Sequence, residues 1–168
     1  MGFLNFSKKS NVQNDAACVM TWNELVKQLM YLYRNVEVVD KECIVVPVAG
    51  FNCYIRYRAK EALLSIEIGW NLDGEHKYSY QDLAVFCNDS NRIFFSKVFT
   101  LQYEDDDTII LLVVREIPFF ETITVAAVNQ KLLELVADSG EIVAEFNRRF
   151  SSRQDSAVGA ADITENKA

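Results

Sequence analysis

The chain predicts an α+β fold: a mainly antiparallel five-stranded sheet with helices packed on one face, in the order α-βββ-α-ββ-α-α. Three observations carry that expectation. Apolar and polar residues alternate with period two in 51–58 and again in 63–70. Amphipathic stripes with helical spacing fill 21–34 and 125–150. Strands and helices come in blocks rather than in strict alternation, which favours antiparallel pairing. The size agrees: 168 residues, 50% of them hydrophobic, are enough for a single domain with its own core.

Residues 1–19 are polar and aperiodic apart from Phe3, Leu4 and Phe6, and read as a loose arm. Thr21-Trp-Asn-Glu24 is a capping box, in which the Thr hydroxyl accepts from an early helix N–H and Glu24 reaches back. Trp22, Leu25, Val26, Leu29, Leu32 and Tyr33 then form one apolar stripe, so the first helix spans 21–34. CIVVPV, residues 43–48, reads as a strand, and Pro47 argues for an edge position because it cannot donate to a ladder. With Ala49-Gly50 as a two-residue hairpin loop, Cys43 faces Arg56 and Cys53 faces Val46. Phe51, Cys53, Ile55 and Tyr57 alternate with polar neighbours, as do Leu64, Ile66, Ile68 and Trp70. Pairing Arg58 with Leu63 puts both apolar sets on one face. Tyr54, Arg56, Arg58 and Glu67 then share the wetter face, with Arg56 diagonal to Glu67.

Ser79-Tyr-Gln-Asp82 starts a short helix, 79–88, that stops at Asn88-Asp89. IFFSKVFTLQYE, residues 93–104, is a strand rich in Phe. TIILLVVREI, residues 108–117, is apolar on both faces and so central in the sheet. Thr124 caps a third helix, Ser139-Gly140 breaks it, and Ile142, Val143, Phe146 and Phe150 mark a fourth. The last residues, 151–168, are small and polar and read as a disordered tail. The folded domain is therefore expected over 20–150.

Chemistry is sparse. The four acids at Glu104–Asp107 lie between two strands and suit a hairpin turn, since aspartate bonds local backbone and tolerates positive φ. A calcium loop needs spaced acids and a central glycine, and consecutive acids point apart. No metal site is expected. The single histidine, His76, has no nucleophile motif to serve, and zincin, P-loop and dinucleotide fingerprints are all missing. No catalytic residue and no cofactor is expected. The four cysteines lack CxxC spacing and read as free thiols in a reducing compartment. A net charge of −7 repels phosphate backbones, so nucleic acid is not an expected partner. Neither a signal peptide nor an apolar run of membrane-spanning length is present, and the expected location is the cytoplasm.

The aromatic residues around 94–120 point to contact. They are most simply core, but an excess would surface as an apolar patch, the usual mark of a partner or dimer interface. Leu83 and Phe86 on the short helix, with Phe94 and Phe95 nearby, are the expected centre of such an interface. The helix is preferred to a sheet edge because Pro47 blunts one edge strand and the acidic turn protects the other hairpin. Tyr54, Arg56, Arg58 and Glu67 form an expected exposed sheet face. The rival reading is a small-molecule-binding or enzymatic α+β domain with converging carboxylates such as Glu61, Glu67, Glu75 and Asp82.

CIVVPVAGFNCYIRYRAKEALLSIEIGW, NRIFFSKVFTLQYEDDDTIILLVVREIP and VNQKLLELVADSGEIVAEF together resemble the YbjN-like family of bacterial sensory-transduction regulators. The resemblance covers about residues 20–150 and rests on hydrophobic pattern and element length. That fold is in turn similar to the class I type III secretion chaperones. The resemblance implies an acidic cytoplasmic protein without catalytic residues that holds other polypeptides, often as a homodimer.

Overall fold

The computed structural model describes residues 20–72, 78–103, 106–119 and 123–161. The first helix, α1 (Trp22–Leu32), begins with the expected capping box: the Thr21 hydroxyl accepts from the Glu24 N–H, and the Glu24 carboxylate accepts from the Thr21 N–H. Four strands follow, β1 (Glu37–Asp40), β2 (Cys43–Val48), β3 (Phe51–Arg58) and β4 (Leu63–Leu72), the last two joined by a short 3-10 turn. Then come α2 (Tyr80–Ile93), β5 (Lys97–Tyr103), β6 (Asp106–Pro118) and a single long helix, α3 (Val125–Ala161).

The sheet has six antiparallel strands in the order β1-β2-β3-β4-β6-β5, one more than the sequence predicts. The added strand is β1. All four of its residues are exposed, so it carries no in-out alternation to read. It makes β2 an inner strand, which corrects the edge placement of Pro47. The local reasoning still holds, because β1 pairs only as far as Val45, and Pro47 is partnered on the β3 side alone, by Asn52. Ala49 and Gly50 both have positive φ, as a tight hairpin turn with the sheet's own twist requires. The register follows: Cys43 opposite Arg56, Val46 opposite Cys53, Arg58 opposite Leu63. The run 108–117 lies within β6, between β4 and β5, as its two apolar faces demand.

Two helix stops expected from the sequence are absent for one reason, and the strand expected from 93 begins only at Lys97 because α2 runs to Ile93. The helix α2 does not stop at Asn88-Asp89, and α3 does not break at Ser139-Gly140. In each case a small serine completes the buried stripe. Leu83, Phe86, Cys87 and Ser90 are spaced to share one face of α2, and Leu132, Leu135, Ser139, Ile142 and Phe146 one face of α3. A Cβ at Gly140 would meet no neighbouring atom, so that glycine costs the helix about 1 kcal/mol of propensity without ending it. The backbone of α3 runs to Ala161, past the expected domain end at 150; the arm 1–19 and residues 162–168 lie outside the described residues.

One face of the sheet carries the core. Paired residues share a face, so Ile44 and Ile55, Ile55 and Ile66, and Ile68 and Val113 line up under the helices. Leu25 and Leu29 of α1, Leu83 and Phe86 of α2, and Val128, Leu132, Leu135, Ile142 and Phe146 of α3 pack into the same cluster. Trp22 is half-buried at its rim; it stacks on Tyr57 at 5.7 Å and its indole N–H donates to the Lys41 carbonyl.

Candidate functional site: the uncovered sheet face and its edge

Among the described residues, helices cover only the core side of the sheet, and the opposite face of β3, β4, β6 and β5 looks outward. Its composition changes across the sheet. Towards β3 it is charged: Tyr54, Arg56, Arg58 and Glu67 stand on it, with Arg56 bonded to Glu67 at 3.3 Å and the Ser65 hydroxyl donating to the same carboxylate at 2.8 Å. Arg58 pairs with Glu61 and Glu116, and Lys97 of β5 reaches Glu116 at 2.6 Å. The Lys97 ammonium, and after it the Arg58 guanidinium, hold the Glu116 carboxyl below its usual range. Exposed pairs of this kind contribute little each, but the row fixes side chains across four strands.

Towards β5 the same face is apolar. Phe99 and Leu101 of β5 lie opposite Leu112 and Ile110 of β6, and are 38% and 41% exposed. Gly69 of β4 faces Leu112 across the ladder, and a Cβ there would come within 3.2 Å of Ile110 and 3.3 Å of Leu112. The absent side chain lets both lean over β4 and makes a smooth apolar floor.

The expected interface centre on α2 is not on the surface. Leu83 and Phe86 are each 1% exposed and belong to the core, with the Phe86 ring edge-on to Phe146 at 5.2 Å. An amphipathic helix points its apolar stripe at the sheet, and here the sheet is its own chain's. Phe94 is half-buried against that core, whereas Phe95 is 94% exposed. Of the carboxylates offered for an enzymatic reading, Glu61 and Glu67 are held by Arg58 and Arg56, Asp82 sits in the first turn of α2, and Glu75 lies outside the described residues. Asp106 and Asp107 belong to β6, and Tyr103 pairs with Asp106; Glu104 and Asp105 fall outside the described residues.

Arg115 was not singled out by the sequence reading. It sits on the core side of β6 opposite Ile66, 9% exposed, where its guanidinium bonds Glu134 and Asp138 of α3 and the Ser96 hydroxyl. An arginine at a core position of an apolar strand was the available signal: such a cation must find partners, and two carboxylates one helical turn apart supply them. The site ties β6 to α3. Burial also sets the thiols: it pushes Cys53 up to about 12 and Cys87 up to about 11, so both stay protonated and unreactive at neutral pH.

A concavity of about 670 Å³ lies between α2 and α3. Phe86, Ile93 and Phe94 line it, and its rim is closed by Arg149 on Asp89 at 2.7 Å and Arg148 on Glu145 at 2.7 Å.

No protein-family model matches the chain, and no curated protein matches its sequence. Solved structures similar to it include the following two. YbjN from E. coli, described as a candidate transcription regulator, is 11% identical, with a TM-score of 0.61 over 77% of this chain and 93% of its own. An uncharacterized protein from Methanothermobacter thermautotrophicus is 16% identical, with a TM-score of 0.57 over 76% of this chain and 98% of its own. The fold is YbjN-like. No helix among the described residues is long and apolar enough to cross a membrane.

Proposed function

We propose that the protein is a non-enzymatic, cytoplasmic protein-binding module, chaperone-like or regulatory, that holds a partner polypeptide through apolar surface and self-associates. One observation carries the reading: Phe99, Leu101, Ile110 and Leu112 form an apolar strip on a sheet face that the described residues of the helices leave open. A partner would bury that strip, while the ion-paired half beside it supplies the polar rim usual around such contacts. The regulator description of YbjN fits a protein that works by contact.

The test is affinity capture from the native host, with bound proteins identified by mass, using the parent and Phe99→Glu. The charge replaces an outward side chain, so the melting temperature should hold while the captured polypeptides are lost. Equal capture by both forms would contradict the proposal.

A further inference from the structure

The edge of the sheet at β5 is closed at one position and open at the next two. The Asn91 side chain, at the end of α2, bonds both backbone groups of Val98: its amide donates to the Val98 carbonyl at 2.8 Å and its oxygen accepts from the Val98 N–H at 2.6 Å. A carboxamide presents the donor and acceptor of a peptide group, so Asn91 takes the place of a neighbouring strand there. It follows that the N–H and C=O of Val98 point away from β6. Backbone groups two residues apart in a strand point the same way, so those of Thr100 and Gln102 also face the free edge. Neither has a bond to another described residue on that side.

We propose that a second copy of this chain adds antiparallel at this edge, centred on Leu101, with its register set by Asn91. The inference rests on the reading of the protein as a self-associating contact module and names the seat of that association. With Val98 occupied, only one two-fold arrangement uses both free positions. Thr100 pairs with Gln102 of the second copy and Gln102 with Thr100, which puts Leu101 opposite its own equivalent. The two apolar strips then join into one on the open face.

Charge favours the same arrangement. In the sequence β5 begins at Lys97, five residues after the exposed Arg92, and is followed by the acidic run Glu104-Asp-Asp-Asp107. Antiparallel addition brings the basic end of each copy to the acidic end of the other, twice. The opposite edge of the sheet offers nothing comparable. There β1 has only four residues and is acidic at both ends, whereas β5 has seven, with its one irregularity after Gln102.

The arrangement makes a positional prediction. Leu101 and its equivalent form a non-hydrogen-bonded pair, whose Cα atoms stand about 4.5 Å apart, within disulfide reach. In the full chain with Cys18→Ser, Leu101→Cys should cross-link to itself under mild oxidation, while Phe99→Cys and the β1-edge control Val39→Cys should not. Asn91→Ala frees Val98 and admits a shift of one residue. It should therefore add a cross-link between Phe99→Cys and Leu101→Cys copies when the two are mixed. Thr100→Pro removes an edge-facing N–H without touching the β6 ladder, and should weaken dimers by roughly tenfold or more in sedimentation, since each dimer loses the donor twice. If that variant fails to fold, the cross-link pattern decides alone.

A parent that is monomeric at high micromolar concentration, a Leu101→Cys chain that links no faster than the β1 control, or a dimer linked at other positions would each overturn edge pairing. So would a Leu101→Cys chain that links only to a captured foreign polypeptide, which would make the occupant of the edge a partner strand. Monomeric behaviour together with capture that still depends on Phe99 would refute the edge dimer and self-association and leave the partner-binding part of the proposed function standing.

Discussion

The two faces of the sheet use the same residue types for different ends. Under the helices, Ile44, Ile55, Ile66, Ile68 and Val113 are sealed by side chains of α1, α2 and α3. On the other side, Phe99, Leu101, Ile110 and Leu112 are as apolar in sequence but have only one another and the gap at Gly69. Burial, and with it the stabilising transfer from water, is largely confined to the first face. The second face is stability left unrealised in the isolated chain, available to whatever covers it.

Truncation should separate the faces most widely. Leu29→Ala, at a fully buried position of α1, is expected to cost about 2–5 kcal/mol. Leu101→Ala on the open face should cost less, about 1 kcal/mol, because 41% of its surface already meets water and its loss leaves no enclosed cavity. Urea denaturation of the two variants measures the gap directly; equal losses would mean that the open face is covered within the chain. The clamp between β6 and α3 comes next. Arg115→Ala removes the cation that Asp138 and Glu134 share, leaving Glu134 only Lys131, and should destabilise the chain by the same measurement, though less than Leu29→Ala. Arg115→Met, which fills the space, should recover part of that only if Glu134 and Asp138 are also made neutral.

The smallest effect concerns the charged half of the open face. The Glu116 carboxyl titrates below its ordinary value of 4.5, so its contribution to stability is complete above that value and is lost as pH falls through the folded one. The difference in stability between the parent and Glu116→Gln should therefore be present at pH 7 and shrink as the pH is taken below about 4.5. A difference that grows in acid would reverse the assignment.

Much of the fold was legible because strand pairing obeys a period of two. Once Ala49-Gly50 is a tight turn and Arg58 meets Leu63, every pairing from Cys43 to Glu67 follows, including the Arg56–Glu67 contact. The helix ends were not legible, since Ser139-Gly140 and Asn88-Asp89 carry the chemistry of breakers. Only their tertiary surroundings show that Ser139 and Ser90 are buried members of a stripe. The strand β1 was missed because four exposed residues give no pattern. The site suffered from a related ambiguity: a helix stripe such as Leu83 and Phe86 looks the same whether it meets its own sheet or a partner. The open strip went unread because β6 is apolar on both faces, and sequence alone does not say which of them the helices cover.

The central claim is that contact is made through the apolar half of the open face. The most direct test is side-chain footprinting of the protein with and without a captured polypeptide. Protection is predicted at Phe99, Leu101, Ile110 and Leu112, with little change at Ile93 and Phe94 in the groove between α2 and α3. Protection confined to that groove, with the β5–β6 strip unchanged, would contradict the account.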